Sequence, residues 1–190
     1  MPITLYHGLQ ASYGNKASIQ KLDRDGYHLD HSLSNGNEQV YYNNKKHKLL
    51  YSVAGTHNIS DIGTDVYLGL GLIKRTNRYK EAENVLKEAK SKYNINNATI
   101  IGSSLGGNIA GYISSTDDRV LTHNKGASFF QPVRSNETHF RNNGDLVSIA
   151  NANNTHTTNL PNQNIHTGNI ILDAFNAHSI QNIKNKRIFI

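Results

Sequence analysis

Cysteine is absent from the 190-residue sequence. That excludes disulfides, thiolate metal sites and a cysteine nucleophile, so any nucleophile has to be an oxygen or an amine. Long apolar runs are missing too. No stretch approaches the roughly 20 apolar residues that span a bilayer, which excludes a membrane-embedded protein. The start, Met1-Pro2-Ile3-Thr4-Leu5-Tyr6-His7, has neither a basic nor an apolar leader region. The expectation is a cytoplasmic product, or a virion-associated one if the source is viral. Neither an internal repeat nor a dividing linker is evident. A chain of this length buries about 70% of its unfolded surface, so one domain over residues 1–190 is expected.

Charged residues make up only 18% of the chain, and uncharged polar ones, Asn above all, take their place. Lys and Arg number 20 against 14 Asp and Glu, a formal charge of +6. Such a surface attracts anions, phospholipid headgroups and nucleic acid alike. Specific nucleic-acid binding is not expected, because there is neither a zinc-finger spacing nor an RNP-type strand.

Residues 1–38 carry turn signals at Tyr13-Gly14-Asn15, Asp25-Gly26 and Asn35-Gly36-Asn37 and read as short elements joined by turns. Residues 39–42 and 48–54 are β-rich runs flanking a polar turn, a hairpin whose second strand is apolar enough to lie inside a sheet. Residues 59–73 suit a packed helix. Over residues 77–93 the side chains Tyr79, Ala82, Val85, Leu86, Ala89 and Tyr93 recur at intervals of three and four, with Lys and Glu opposite. This predicts a helix. A buried strand is expected at 98–101, a helix at 105–113, further strands at 119–121, 127–130 and 146–149, and a long loop or weak hairpin at 151–169. The alternation argues for an α/β layer structure, a mostly parallel central sheet with flanking helices.

One segment carries a chemical signature. Gly102-Ser103-Ser104-Leu105-Gly106 is a G-x-S-x-G set between the predicted strand and helix. A serine alcohol is a weak nucleophile that needs a base beside it and a position from which its oxygen projects. A sharp strand-to-helix turn supplies the projection, and Gly102 and Gly106 avoid collision with neighbouring backbone. Ser104 is the central residue. The Leu105 N–H then lies at a helix N-terminus, where it can face a developing oxyanion. The strand end Val53-Ala54-Gly55-Thr56 offers the Thr56 N–H as a second donor.

The remaining partners should follow in the order Ser, acid, His. Acid candidates are Asp117, Asp118, Glu137, Asp145 and Asp173, and histidine candidates are His156, His166 and His178. Asp145 is chosen because it lies on a turn, Asn142-Asn143-Gly144-Asp145, where a carboxylate can be held against an imidazole. His178 is chosen because it follows an apolar stretch and opens a possible helix.

At this point residues 51–180 resemble the class 3 (fungal-type) lipases of the α/β-hydrolase superfamily. The family's F-R-G-T strand end is similar to Val53-Ala54-Gly55-Thr56 and its D-W-x-x-D to Asp61-Ile62-Gly63-Thr64-Asp65. Its G-H-S-L-G-G is similar to residues 102–107 and its N-x-x-D-x-V to Asn142-Asn143-Gly144-Asp145-Leu146-Val147. Its final His resembles His178-Ser179-Ile180. The resemblance implies a compact α/β-hydrolase fold with Ser104 as nucleophile, Asp145 as orienting acid and His178 as base. Thr56 and Leu105 become oxyanion donors, and neither a metal nor another cofactor is required. It further implies an acylglycerol or phospholipid ester as substrate, and the charge adds peripheral contact with anionic membrane. The alternative is a catalytically silent lipase-like module that binds or assembles, because fold does not fix function.

Overall fold

The computed structural model describes residues 2–55, 77–126, 134–152, 154–161 and 167–190. Its centre is a seven-stranded sheet with strands in chain order: β1 (His28–Leu29), β2 (Glu38–Asn43), β3 (Lys48–Val53), β4 (Thr99–Ser103), β5 (Arg119–His123), β6 (Glu137–Asn142) and β7 (Thr157–Leu160). β1, β2 and β3 pair antiparallel, and β3 through β7 pair parallel. All five parallel strands therefore end at one edge of the sheet. In open α/β sheets that carboxyl edge is where ligands bind.

Alternation along the central strands builds two cores. Val40, Leu49, Tyr51, Val53, Ile100 and Val120 face one side of the sheet. There they meet Tyr79, Ala82, Leu86 and Ala89 of α3 (Asn77–Tyr93) and Ile109 and Ala110 of α4 (Leu105–Ile113). Tyr41, Leu50, Ile101 and Leu121 face the other side, under Leu5 and Leu9 of α1 (Leu5–Ser12) and Leu22 of α2 (Lys16–Arg24). Strands covered on both faces read as continuous apolar runs, which is why β3 and β4 are so plain in the sequence. α3 stops where its apolar period stops. Asn94 takes a left-handed φ of 51°, and the Ile95 N–H returns to the Lys90 carbonyl, closing the last turn.

The first 38 residues are part of this core. α1 lies so close to the sheet that a Cβ on Gly8 would sit 2.3 Å from Ile101 Cδ1, and the Ser52 hydroxyl donates to the Gly8 carbonyl. The C-terminal strap folds back on the same helix. Leu5 N–H donates to the Ile188 carbonyl, and Ile190 N–H to that of Ile3.

The far half of the sheet is polar inside. Lys125 Nζ and Glu137 Oε2 form an ion pair at 2.8 Å with both side chains fully buried. The Thr122 hydroxyl donates to Glu137 Oε1 and also contacts His139 Nδ1. Burial pushes the Lys125 ammonium below its ordinary value.

Three expectations need correction here. Residues 146–149 are not a strand: the chain bends after Asp145, and Ile149–Asn151 form a 3-10 turn. The Asp145 carboxylate takes the Val147 N–H, an Asx turn that redirects the backbone, and Leu146 and Ile149 stand exposed. The strand in this region is instead β6, whose Glu-Thr-His-Phe-Arg-Asn hides its burial behind an ion pair. His178 does not open a helix; it closes α5 (Ile170–His178), and Ser179 caps a separate 3-10 turn at Ile180–Ile183. Within 151–169, where a long loop or weak hairpin is expected, residues Thr157–Leu160 form β7, a half-exposed edge strand parallel to β6. Thr56, the 59–73 helix and the 127–130 strand lie outside the described residues. No helix among the described residues is long and apolar enough to cross a membrane.

Candidate active site

Ser104 joins β4 to α4 with φ 54° and ψ −123°, a conformation that L-residues enter only at a cost of about 1–3 kcal/mol. Neighbouring groups hold it there. Its N–H donates to the His123 carbonyl at 3.0 Å, and its carbonyl accepts from Gly107 and Gly126. A Cβ on Gly102 would meet the Gly106 carbonyl oxygen at 2.2 Å, and one on Gly106 would meet the Val53 carbonyl oxygen at 2.3 Å. The two glycines are therefore steric requirements of the turn. Gly106→Ala is expected to lower stability by about 1–3 kcal/mol through forced displacement of β3 or α4. A thermal melt within 1 °C of wild type would sink that expectation.

The Leu105 N–H occupies the first helical position, where no intrahelical acceptor exists. The end of β3 lies alongside: a Cβ on Gly55 would sit 3.4 Å from Ser104 Cβ and 2.7 Å from Tyr13 Oη. The Gly55 N–H donates to that Tyr13 hydroxyl at 2.8 Å. The structure thus brings the residue before Thr56 beside Ser104, and adds Tyr13 from the N-terminal helices, a neighbour that no sequence motif announces.

Asp145 is fully buried after the turn that leaves β6. Its Oδ1 accepts from His178 Nδ1 at 2.9 Å and from the Val147 N–H at 3.1 Å, and its Oδ2 accepts from the Ser148 hydroxyl. Burial alone would raise this carboxyl, but His178, Ser148 and Val147 outweigh it and hold Asp145 below the ordinary carboxylate value. Arg141 Nη2 donates to the Asp145 carbonyl at 2.8 Å and fixes the turn. A carboxylate only accepts, so the neutral His178 ring carries its proton on Nδ1 and its lone pair on Nε2. That Nε2 is buried and has no partner among the described residues. The arrangement leaves an imidazole oriented by a carboxylate, with its Nε2 unpartnered among the described residues.

Ser104 and His178 are linked through consecutive residues at the end of β5. His123 takes the Ser104 N–H through its carbonyl, and Asn124 donates its side-chain amide to the Ala177 carbonyl. No hydrogen bond joins Ser104 Oγ to His178 Nε2 among the described residues; such contacts are often loose in an unliganded site. Three of the rival acids are engaged elsewhere. Asp118, at the amino end of β5, accepts from Lys90, Ser115 and the Ala98 N–H, and Asp173 accepts from Thr167. Glu137 belongs to Lys125. Among the described residues no group of three or more His, Cys, Asp or Glu is placed to hold a metal ion.

No protein-family model matches the chain, and no curated protein matches its sequence. Solved structures similar to it include a fungal lipase, with a TM-score of 0.50 and 14% identity over 76% of this chain and 70% of that one. Another is the Lip2 lipase of Yarrowia lipolytica, with a TM-score of 0.39 and 16% identity over 65% and 62% of the two chains. The seven-stranded mixed sheet with its flanking helices and the likeness to the first of these structures give the fold: it is that of an α/β hydrolase, lipase-like in form.

Proposed function

We propose that this chain is a serine ester hydrolase of the class 3 lipase type, acting on acylglycerol or phospholipid esters. The observation that carries the reading is the buried Asp145–His178 pair with a free Nε2, at the same sheet edge as the strained Ser104. In this mechanism His178 Nε2 takes the Ser104 proton as Oγ attacks the ester carbonyl. Asp145 holds the ring in its Nδ1–H tautomer and stabilises the imidazolium that forms. The Leu105 N–H, with that of Thr56, receives the oxyanion. His178 then returns the proton to the departing alcohol, and the acyl-serine is hydrolysed by a water that His178 activates. The formal charge of +6 favours encounter with anionic lipid surfaces.

The test is covalent labelling. A fluorophosphonate probe should modify Ser104 of the native protein and no residue of Ser104→Ala, with the site read by peptide mass spectrometry. The His178→Ala protein should label far more slowly. An unlabelled but folded wild type would favour the silent module.

A further inference from the structure

α5 ends at His178, so the carbonyls of its last turn lack intrahelical N–H partners. One of them is met three times over. The Ala177 carbonyl accepts from Asn142 Nδ2 at 2.9 Å, Asn124 Nδ2 at 3.0 Å and Asn182 Nδ2 at 3.2 Å. These amides come from the end of β6, the residue after β5 and the 3-10 turn beyond α5, and all three side chains are buried. A carbonyl oxygen has two lone pairs, so three donors around it leave the peptide plane little freedom. That plane is the Ala177–His178 peptide, which sets where the imidazole starts.

Asn142 makes a second contact that the other two do not. Its remaining amide proton points at His123 Nε2, 3.0 Å away. An amide nitrogen only donates, so His123 Nε2 accepts, and the His123 proton resides on Nδ1, facing Ser103 Oγ at 3.4 Å. Asn142 is itself located by its backbone N–H, which donates to Asn124 Oδ1. The chain Ser103, His123, Asn142, Ala177 carbonyl therefore runs from the residue before Ser104 to the residue before His178. Asn142 keeps both amide protons so directed while its own Oδ1 stays buried without a partner among the described residues. Leaving a buried acceptor unpaired is costly, and packing alone would be served as well by an apolar residue of the same size.

We infer that Asn142 is a positioning residue: through the Ala177 carbonyl it fixes the backbone of His178 and so the approach of Nε2 to Ser104. The ester-hydrolase reading is needed only for the kinetic side of this inference. The geometric side concerns the His178–Asp145 bond and is readable without turnover.

The experiment compares wild type, Asn142→Ala and Asn142→Asp, the last placing an acceptor where a donor stood. Two properties are read on protein shown to be folded by near-ultraviolet circular dichroism. One is the low-field proton resonance of His178 Nδ1–H in its bond to Asp145. The other is kcat and KM for p-nitrophenyl butyrate, normalised to sites titrated with fluorophosphonate. The low-field proton is expected to shift or broaden in both variants, while kcat falls about 10- to 100-fold and KM stays within about twofold, the pattern of a misplaced base. A folded Asn142→Ala with an unmoved proton and unchanged kcat overturns the inference. A moved proton in a chain whose wild type neither labels nor turns over the ester supports it and sinks the hydrolase reading instead. If both Asn142 variants fail to fold, Asn124→Ala carries the same measurement: a shifted proton supports the clamp, and an unmoved one overturns it.

Discussion

Ser104→Ala and His178→Ala are each expected to lower kcat/KM for a soluble short-chain ester by about 10⁴-fold or more, and the double variant by little more than either alone. On the proposed mechanism, Ser104 without His178 is an ordinary alcohol, and His178 without Ser104 has no proton to take. Their losses therefore overlap instead of adding. Asp145→Asn should cost about 10³- to 10⁴-fold, because an amide facing Nδ1 favours the tautomer with its proton on Nε2. Asp118→Asn and Asp173→Asn should leave kcat within a few-fold, since those carboxylates are spent on Lys90, Ser115 and Thr167. Steady-state rates with p-nitrophenyl esters decide the matter. Small losses that add between Ser104 and His178 would place the chemistry elsewhere.

The second large effect is acid instability. His123 and His139 are buried in the polar half of the sheet, and burial, the dominant cause, holds each down at about 3. Proximity to His178 adds to the depression at His123, and Lys125 adds to it at His139. Their ordinary value is 6.5, so below that pH the unfolded chain takes up protons that the folded chain refuses. Stability is then full above pH 6.5 and falls by up to about 1.4 kcal/mol per pH unit for each imidazole as the pH drops toward 3. By pH 4.5 the two losses amount to on the order of 5 kcal/mol, comparable with the whole stability of many domains. Glu38 opposes this, since burial raises its carboxyl and the folded state protonates it first. Asp145, held low, adds its own loss only below about its ordinary 3.8. Urea unfolding at pH 7.5, 6.0, 5.0 and 4.5 measures the slope, and His139→Gln should reduce it by about one proton's share. A free energy of unfolding that stays flat from pH 7 to 5 would refute the buried-neutral assignment.

The parts legible in the sequence are those where burial is apolar and periodic. α3 shows itself through Tyr79, Ala82, Leu86 and Ala89, and β3 and β4 through unbroken apolar runs. The turn at Ser104 is legible because steric demand at Gly102 and Gly106 leaves a fixed spacing. β6 and β7 are not, because one buries Glu137 of an ion pair and the His139 imidazole while the other is a half-exposed edge. Neither shows the alternation that marks a strand. The Asn124 amide is hidden for a different reason: Asn is abundant everywhere in this chain, so its residue type carries no signal. Asn142 is legible as the start of the turn to Asp145, but only the meeting of three amides on the Ala177 carbonyl shows what its side chain holds. Tyr13 was invisible because its partner, the Gly55 N–H, is a backbone group 42 residues away.

The sequential strand order has a consequence for how the chain is assembled in time. Thr99 of β4 pairs with Arg119 of β5, Val120 with Glu137 of β6, and His139 with Thr157 of β7, each across a short stretch of chain. The pairing of Leu50 with Thr99 closes a far longer loop, and the contacts of Leu5 with Ile188 join nearly opposite ends of the polypeptide. Closure entropy grows with loop length, so the β2–β3 hairpin and the pairings from β4 to β7 close more cheaply than the β3–β4 seam or the contact between the two ends of the chain. Ser104 and Asp145 lie within the segment from β4 to β7, and His178 reaches Asp145 from α5, beyond the last strand. On the proposed mechanism, a molecule in which the Asp145–His178 contact has not yet closed carries its serine and its carboxylate without the imidazole, and is expected to be inert toward a fluorophosphonate.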